Sequence, residues 1–226
     1  MTTTLLFIAI AAGGFLLGGL NGAIIASRLV YKDDIREHGS GNAGLTNFYR
    51  TYGSRAIFLV LLIDILKAGI PVILGGMLLA EHAAFSTMDE RLVLGRLVGG
   101  LFAMLGHVYP WLYGFRGGKG ALTTVAAFLF IDWRVALICF AIFALVVLLS
   151  RYVSLGSVIA GIALPIVFSF RPDAGFVSII LVSLYAVFVV YRHRENLIRL
   201  TRGEERKLSF KRKPKSEDEE NTEGDT

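Results

Sequence analysis

Long stretches of this chain are apolar at almost every position, with no regular polar face. Dividing the chain at its charged breaks gives seven candidate helices, over residues 4–30, 54–80, 91–113, 119–132, 134–150, 155–170 and 174–191. Apolar runs of about 20 residues can cross a bilayer core about 30 Å thick. A membrane barrel would instead need strands that alternate apolar and polar residues. The pattern therefore predicts an all-α integral membrane protein with seven transmembrane helices.

Composition and charge support this prediction and orient the helices. Hydrophobic residues make up 54% of the 226 positions, and the net charge is +5. The first run has no basic start and exceeds a signal peptide's apolar region, so we expect it to be retained. Cations are concentrated in alternate breaks, whereas the other breaks hold only Arg91, Arg96, Arg134 and Arg171. The positive-inside rule then places the N-terminus outside and the C-terminus in the cytoplasm.

The cations lie between membrane helices, so the sequence predicts no nucleic-acid partner. We expect residues 1–207 to form the membrane domain. Residues 208–226 form a charged tail with almost nothing apolar to bury, which predicts disorder.

Four polar segments, the first two of them rich in glycine, fall on the predicted cytoplasmic side. The first covers residues 38–50, where three glycines are interleaved with hydroxyl and amide side chains. Such a loop can turn backbone N–H groups toward an anion, while Ser40, Thr46 and Arg50 add side-chain donors. A flexible connector is the alternative. We predict a phosphate-binding loop here.

The second segment places Lys119 among glycines at the start of a helix, shortly after His107. Free N–H groups, the positive end of the helix dipole and a lysine ammonium favour an anion there. The segment lacks the glycine spacing and the Ser or Thr of a nucleotide-binding loop, so nucleotide hydrolysis is not supported. For Arg116, membrane anchoring is the alternative to binding. For His107, a packing hydrogen bond and a substrate contact both stay open.

The third and fourth segments are shorter. Ser154 and Ser157 lie at a helix entry, where either hydroxyl could cap the helix or donate to an anion. His193 and Asn196 share one face if the last helix continues past residue 191. A solvated basic helix at the membrane surface is the alternative for this fourth segment.

The remaining ionisable residues show no metal-binding pattern. His38, His82, His107 and His193 have no ligand-like spacing, so the sequence predicts no metal site. Asp64 and Lys67 are three residues apart within a membrane helix, where charges are costly. We expect them to face the bundle interior as a pair, with a role in the site as the alternative.

Taken in order, the four segments resemble the signature regions of the PlsY family. The matching residues are Gly39 to Asn47 with Arg50, then Gly106 to Pro110 with Gly117 to Gly120, then Tyr152 to Ser157, then His193 to Arg199. The resemblance covers residues 1 to about 207. Where the family usually has Gly-Ser-Ile-Pro in the first helix, this chain has residues 18–21, Gly-Gly-Leu-Asn.

The resemblance implies a bacterial inner-membrane enzyme with its active site facing the cytoplasm. Such enzymes transfer an acyl group from acyl phosphate to the sn-1 hydroxyl of glycerol 3-phosphate. They use no cofactor, and they work in contact with membrane lipid. It implies catalytic roles for Ser40, Lys119, His193 and Asn196, with either His193 or the departing phosphate taking the proton. The implied substrate-binding residues are Gly39, Ser40, Gly41, Asn42, Thr46, Asn47, Arg50, His107, Gly117, Gly118, Lys119, Gly120, Ser154, Ser157, His193 and Asn196. Rival functions are transport of an anionic metabolite and a different membrane acyl or phosphoryl transfer.

Overall fold

The computed structural model describes residues 2–81 and 87–208. These residues form ten α-helices and two one-turn 3-10 helices, and contain no β-strand. The 3-10 helices are Ile35–Glu37 and Trp111–Tyr113. The α-helices are α1 Thr3–Gly18, α2 Gly22–Tyr31, α3 Leu45–Tyr52, α4 Ile57–Ala80, α5 Met88–Val108, α6 Ala121–Ile131, α7 Trp133–Ser150, α8 Val153–Ser169, α9 Phe176–Arg192 and α10 Arg194–Thr201.

All seven predicted apolar segments are helical, but they differ in length. Four are long and apolar enough to cross a membrane: Thr3–Tyr31, Ile57–Ala80, Met88–Tyr113 and Trp133–Ser150. Helices α9 and α10 meet the same test together, although they are bent by 51°. Helices α6 and α8 are apolar but shorter, at 11 and 17 residues. The described residues therefore contain four or five spans by length and composition.

The first predicted helix is broken in two, which its apolar sequence does not reveal. Asn21 separates α1 from α2, and its side chain accepts a hydrogen bond from the backbone of Ile24 at 3.1 Å. Asn21 is completely buried. An asparagine that caps a helix in this way fixes the helix start at the following residue.

Another predicted boundary is wrong for a local reason. The third predicted helix ends at Val108 rather than at residue 113, because Pro110 cannot continue it. The last predicted helix ends within one residue of the predicted position, since α9 ends at Arg192, and a bend at His193 separates it from α10. Helix α6 ends at Ile131 and α7 begins at Trp133, so Asp132 alone separates the two helices in a tight hairpin.

Glycines bring α1, α4 and α5 into close contact. A Cβ atom on Gly99 would overlap the carbonyl oxygen of Pro71, and one on Gly14 would lie 2.6 Å from the carbonyl oxygen of Gly99. Small residues allow membrane helices to pack at backbone distance. The three helices therefore approach one another at backbone distance at these positions. Gly13, in contrast, has nothing near its missing side chain.

One group of ionic contacts lies at the end of the bundle opposite the glycine-rich loops. The guanidinium of Arg171 pairs with Asp132, next to the α6–α7 hairpin, and with Asp173. These pairs join the two loops that close this end. His82 and the predicted acidic tail beyond residue 208 lie outside the described residues.

Candidate active site

A cavity of about 540 Å³ opens where the four polar segments meet. One end is polar, and the other is apolar and lies between α6, α7 and α8. The polar end contains residues from all four segments: Gly39, Ser40, Asn42, Thr46, Arg50, His107, Lys119, Gly120, Ser154, Ser157, His193 and Asn196. Gly41, Asn47, Gly117 and Gly118 do not line it.

Three helices begin at the polar end. The first residues of α3, α6 and α8 line the cavity, and none of these three helices has a side-chain cap. The backbone N–H groups in the first turn of a helix have no partner within the helix and carry the positive end of its dipole. Three uncapped starts around one cavity therefore form an anion-binding environment.

The first loop is folded around the side chain of Asn47. This side chain is buried, accepts a hydrogen bond from the backbone N–H of Ser40 at 2.9 Å, and donates to the carbonyls of His38 and Ile35. Gly39 has a φ of +62°, and a Cβ atom there would overlap Asn47. The polar atoms of the Asn47 side chain hold the loop from within, and Asn47 does not itself line the cavity. Its binding role stays a prediction.

The second loop is folded around His107. The backbone N–H of Gly118 donates to the His107 carbonyl at 3.2 Å, and a Cβ atom on Gly118 would overlap Nε2 of the His107 ring. A Cβ atom on Gly117 would overlap the same carbonyl. These two glycines shape the loop by packing against His107, and neither lines the cavity; their binding role stays a prediction. Their packing presents Lys119 to the cavity.

The ammonium of Lys119 reaches across the polar end and donates to Oδ1 of Asn196. Lys119 therefore joins the second segment to the fourth. The guanidinium of Arg50 similarly joins the first segment to the C-terminal residues, since it donates to the Arg206 carbonyl at 3.2 Å. All four segments are connected around one space, which sequence spacing alone could not establish.

Glu205 is a site residue that the sequence analysis missed. Its carboxylate accepts hydrogen bonds from Ser154 and Asn196, both at 2.7 Å, and from Arg199 at 2.9 Å. Both Glu205 and Arg199 line the cavity. Glu205 lies in a charged stretch after the last apolar run, where composition alone predicts a solvated tail. No spacing signal distinguishes it from Glu204.

His193 lines the cavity with its tautomer fixed. Its Nδ1 lies 2.7 Å from the Val189 carbonyl, which can only accept a hydrogen bond. Nδ1 therefore carries the proton, and Nε2 of the neutral ring is left as an acceptor. An acceptor nitrogen of this kind can receive the proton of a substrate hydroxyl.

The third segment contributes its two serines differently. Ser154 donates to Glu205, as described above. The hydroxyl of Ser157 donates to the Val153 carbonyl one turn earlier, at 3.0 Å. Ser157 lines the cavity with its donor hydrogen already used, so its oxygen is available to accept a hydrogen bond.

Lys119 and Glu205 are charged groups of the polar end with shifted pKa values. Burial, together with the nearby cation of Arg199, lowers the pKa of Lys119 to about 8. Burial opposes ionisation of Glu205, but the hydrogen bonds from Asn196, Ser154 and Arg199 prevail and lower its pKa. The polar end therefore holds an ionised carboxylate beside a lysine that loses its charge in mildly alkaline solution.

A pH dependence of anion binding follows from Lys119. The protonated amine attracts an anion, so binding is strongest below a pKa of about 8 and weakens as the pH rises through it. The KM for a phosphate-bearing substrate should rise by up to about tenfold per pH unit above that value. In Lys119→Arg the guanidinium stays charged, so its KM should not rise over the same range. Equal slopes for the two proteins would contradict the assignment.

Comparison with known proteins identifies relatives over nearly the whole chain. The family described as glycerol-3-phosphate acyltransferase matches residues 8–203. A glycerol-3-phosphate acyltransferase of Chlorobaculum tepidum is 38% identical over 92% of this chain and 99% of its own length. One of Clostridioides difficile is 39% identical over 91% of this chain and 97% of its own.

Two solved structures share the fold. They are crystal structures of PlsY, an integral membrane glycerol 3-phosphate acyltransferase, in its glycerol 3-phosphate form and its lysophosphatidic acid form. The first has a TM-score of 0.76 and 31% identity, covering 90% of this chain and 96% of that one. The second has a TM-score of 0.75 and 29% identity, covering 90% and 95%.

Proposed function

Because this chain belongs to the glycerol-3-phosphate acyltransferase family, we propose that it transfers an acyl group from acyl phosphate to the sn-1 hydroxyl of glycerol 3-phosphate. The products are 1-acylglycerol 3-phosphate and phosphate. The observation that carries this proposal is the cavity, which joins an anion-binding end to an apolar end. Each substrate contains a phosphate, and the donor also contains a long apolar chain.

The polar end provides enough donors for two phosphates. Lys119, Arg50 and Arg199 supply cations, and Ser40 and Thr46 add hydroxyl groups near the start of α3. The backbone N–H groups that begin α3, α6 and α8 surround the same space. Charge-assisted hydrogen bonds of this kind are among the strongest that a protein makes to phosphate.

The apolar end suits the acyl chain. Its wall includes Phe128 of α6, Cys139 and Phe143 of α7, and Leu164 of α8. Phe140 also belongs to this wall, and half of its surface is exposed on the side of α7 that faces lipid. A chain drawn from the bilayer could therefore reach the cavity between helices without crossing water. Burying such a chain costs no electrostatic free energy, because the chain is apolar.

The reaction proceeds by direct transfer. The sn-1 oxygen attacks the acyl carbon, the bond from that carbon to the phosphate oxygen breaks, and phosphate leaves with the bonding electrons. The hydroxyl proton passes either to Nε2 of His193 or to the departing phosphate, while Asn196 and Ser40 help to orient the reactants. Position and electrostatic stabilisation supply the catalysis, because the mixed anhydride is already activated.

We further propose seven membrane crossings, by α1 with α2, then α4, α5, α6, α7, α8 and α9. The N-terminus then lies outside, and the cavity opens to the cytoplasm at the bacterial inner membrane. The distribution of cations supports this orientation, since Arg50, Arg116, Lys119 and Arg151 all lie on the cavity side. Transport of an anion is the rival, but the polar groups gather at one end of the bundle instead of near its midplane.

A comparison of acyl donors tests the proposed function. The purified protein in lipid nanodiscs is given radiolabelled glycerol 3-phosphate with palmitoyl phosphate, palmitoyl-CoA or palmitate. Lysophosphatidate should form from palmitoyl phosphate, and formation from the other two should be at background. Product from palmitoyl-CoA alone would instead place the chain among acyltransferases with a different donor. No product from any donor, in folded protein, would overturn the proposed function.

A further inference from the structure

We propose that Lys67, itself paired with Asp64, positions His107 so that the Nε2–H of its ring donates a hydrogen bond to a substrate phosphate. Lys67 and Asp64 then act through His107 and are positioning residues. This inference rests on the proposed function, because the anion it concerns is the phosphate of acyl phosphate or of glycerol 3-phosphate.

The three side chains form a buried chain of contacts between α4 and α5. Asp64 and Lys67 are 1% and 3% exposed, which leaves neither charge in contact with water. The Lys67 ammonium lies 2.7 Å from Oδ1 of Asp64 and 2.7 Å from Nδ1 of His107. The predicted pairing of Asp64 with Lys67 is therefore present, and it extends to His107; Asp64 and His107 both line the cavity, whereas Lys67 does not.

The contacts determine which ring nitrogen of His107 carries the proton. An ammonium can only donate, so Nδ1 accepts from Lys67 and carries no proton. The amide nitrogen of Asn21, also a donor, lies 3.5 Å from the same atom. With Nδ1 occupied by donors, the neutral ring carries its proton on Nε2. A doubly protonated ring would place a second cation beside the lysine.

The protonated nitrogen lies next to the phosphate-binding loop. Nε2 packs against Gly118, and His107 lines the polar end of the cavity. Within residues 2–81 and 87–208, no hydrogen-bond acceptor is seen for this nitrogen. A donor that borders an anion site and has no protein partner gains one when a phosphate oxygen arrives.

The two cavity histidines thus have opposite tautomers. His193 presents an acceptor nitrogen, because its other nitrogen donates to the Val189 carbonyl. His107 presents a donor, because its other nitrogen accepts from Lys67. The His193 ring suits a hydroxyl that must lose a proton, and the His107 ring suits a phosphate oxygen that must be held.

The alternative role of the Asp64–Lys67 pair is purely structural. In that case the pair only holds α4 against α2, through the 3.1 Å hydrogen bond that the backbone N–H of Gly22 donates to Asp64.

The test combines ring nitrogen NMR with kinetics on the full chain in nanodiscs. Because removing Lys67 alone would leave a buried unpaired carboxylate, the informative variant is the double substitution Asp64→Asn with Lys67→Met. Histidine is labelled with nitrogen-15, and the His107 signals are assigned by their loss in His107→Gln. Thr123→Val is the control, since Thr123 is buried, its hydroxyl lacks a partner among the described residues, and it lies outside the cavity.

In the unaltered protein, His107 should show a bare Nδ1 and a protonated Nε2. The double variant should lose this pattern and show a KM raised about three- to tenfold for one substrate, with kcat nearly unchanged. The substrate affected identifies which phosphate His107 contacts. His107→Gln keeps an N–H at the position of Nε2 and should stay closer to the unaltered KM than His107→Phe.

A protonated Nδ1 on His107 in the unaltered protein would overturn the inference. So would a double variant that keeps both the ring signals and the KM values, which would leave the pair a purely structural role. The ring measurement needs no catalysis. A protein that makes no lysophosphatidate but shows the expected tautomer would therefore contradict the proposed function and not the tautomer assignment.

Discussion

Lys119→Met should lower kcat/KM for acyl transfer by about 10²–10³-fold, the range found when one preorganised donor is removed from a site that stabilises developing negative charge. Methionine has a similar length but no charge, so the polar end loses its ammonium. It also loses the hydrogen bond that Lys119 donates to Asn196. The fold should survive, because the loop is shaped by Gly117, Gly118 and His107 rather than by the lysine.

Arg116→Met provides the matched control. Arg116 carries the same charge in the same loop, but it is exposed and does not line the cavity. Its replacement should change kcat/KM by less than about threefold, as expected for a surface charge. Steady-state kinetics on the two variants measure these changes in kcat/KM, and melting temperatures confirm that both proteins are folded. Similar losses in both would mean that the loop acts through its overall charge and that Lys119 has no special position.

Gly118→Ala should lower kcat/KM by about 10²-fold, because a shift of about 1 Å at a catalytic group can cost that much. An alanine Cβ would overlap Nε2 of His107 and lie 2.9 Å from the Ala43 carbonyl oxygen. Neither neighbour can easily move, since His107 is held by Lys67 and buried in the bundle. The loop must shift instead, and Lys119 shifts with it.

Gly175→Ala is the control for Gly118→Ala. Gly175 lies in a loop at the opposite end of the bundle, has an ordinary negative φ of −75°, and has nothing within 4 Å of its missing side chain. Its substitution should leave kinetics unchanged. Glycerol 3-phosphate titrations of both variants provide the measurement. Full activity in Gly118→Ala would show that the close packing against His107 does not set the position of Lys119.

The helical, membrane-spanning character of the chain could be predicted because long apolar runs indicate segments that contact lipid. The break between α1 and α2 could not, since it depends on the side chain of Asn21 reaching Ile24 and the Ala43 carbonyl. The short α3 within the first polar segment was missed for a similar reason. It is only eight residues long, and its packing around Phe48 depends on tertiary contacts.

The candidate site was partly predictable because the segments suited to phosphate binding have a recognisable amino-acid composition. Lys119 stood out by its glycine neighbours, and it lies in the cavity wall as that environment suggested. Asn47 has the same composition signal as Asn42, but only the structure shows that its side chain turns inward to hold the loop. Glu205 carried no signal at all, because its role depends on three donors from distant positions.

The proposed reaction is tested most directly by following phosphate release from palmitoyl phosphate in the presence and absence of glycerol 3-phosphate. Lysophosphatidate is measured in the same samples. Direct transfer predicts release that depends on the acceptor, with one phosphate per lysophosphatidate and no initial burst, and it predicts that Lys119→Met loses both products together. Release without acceptor, a burst of phosphate that precedes lysophosphatidate, or no lysophosphatidate from folded protein would contradict this mechanism.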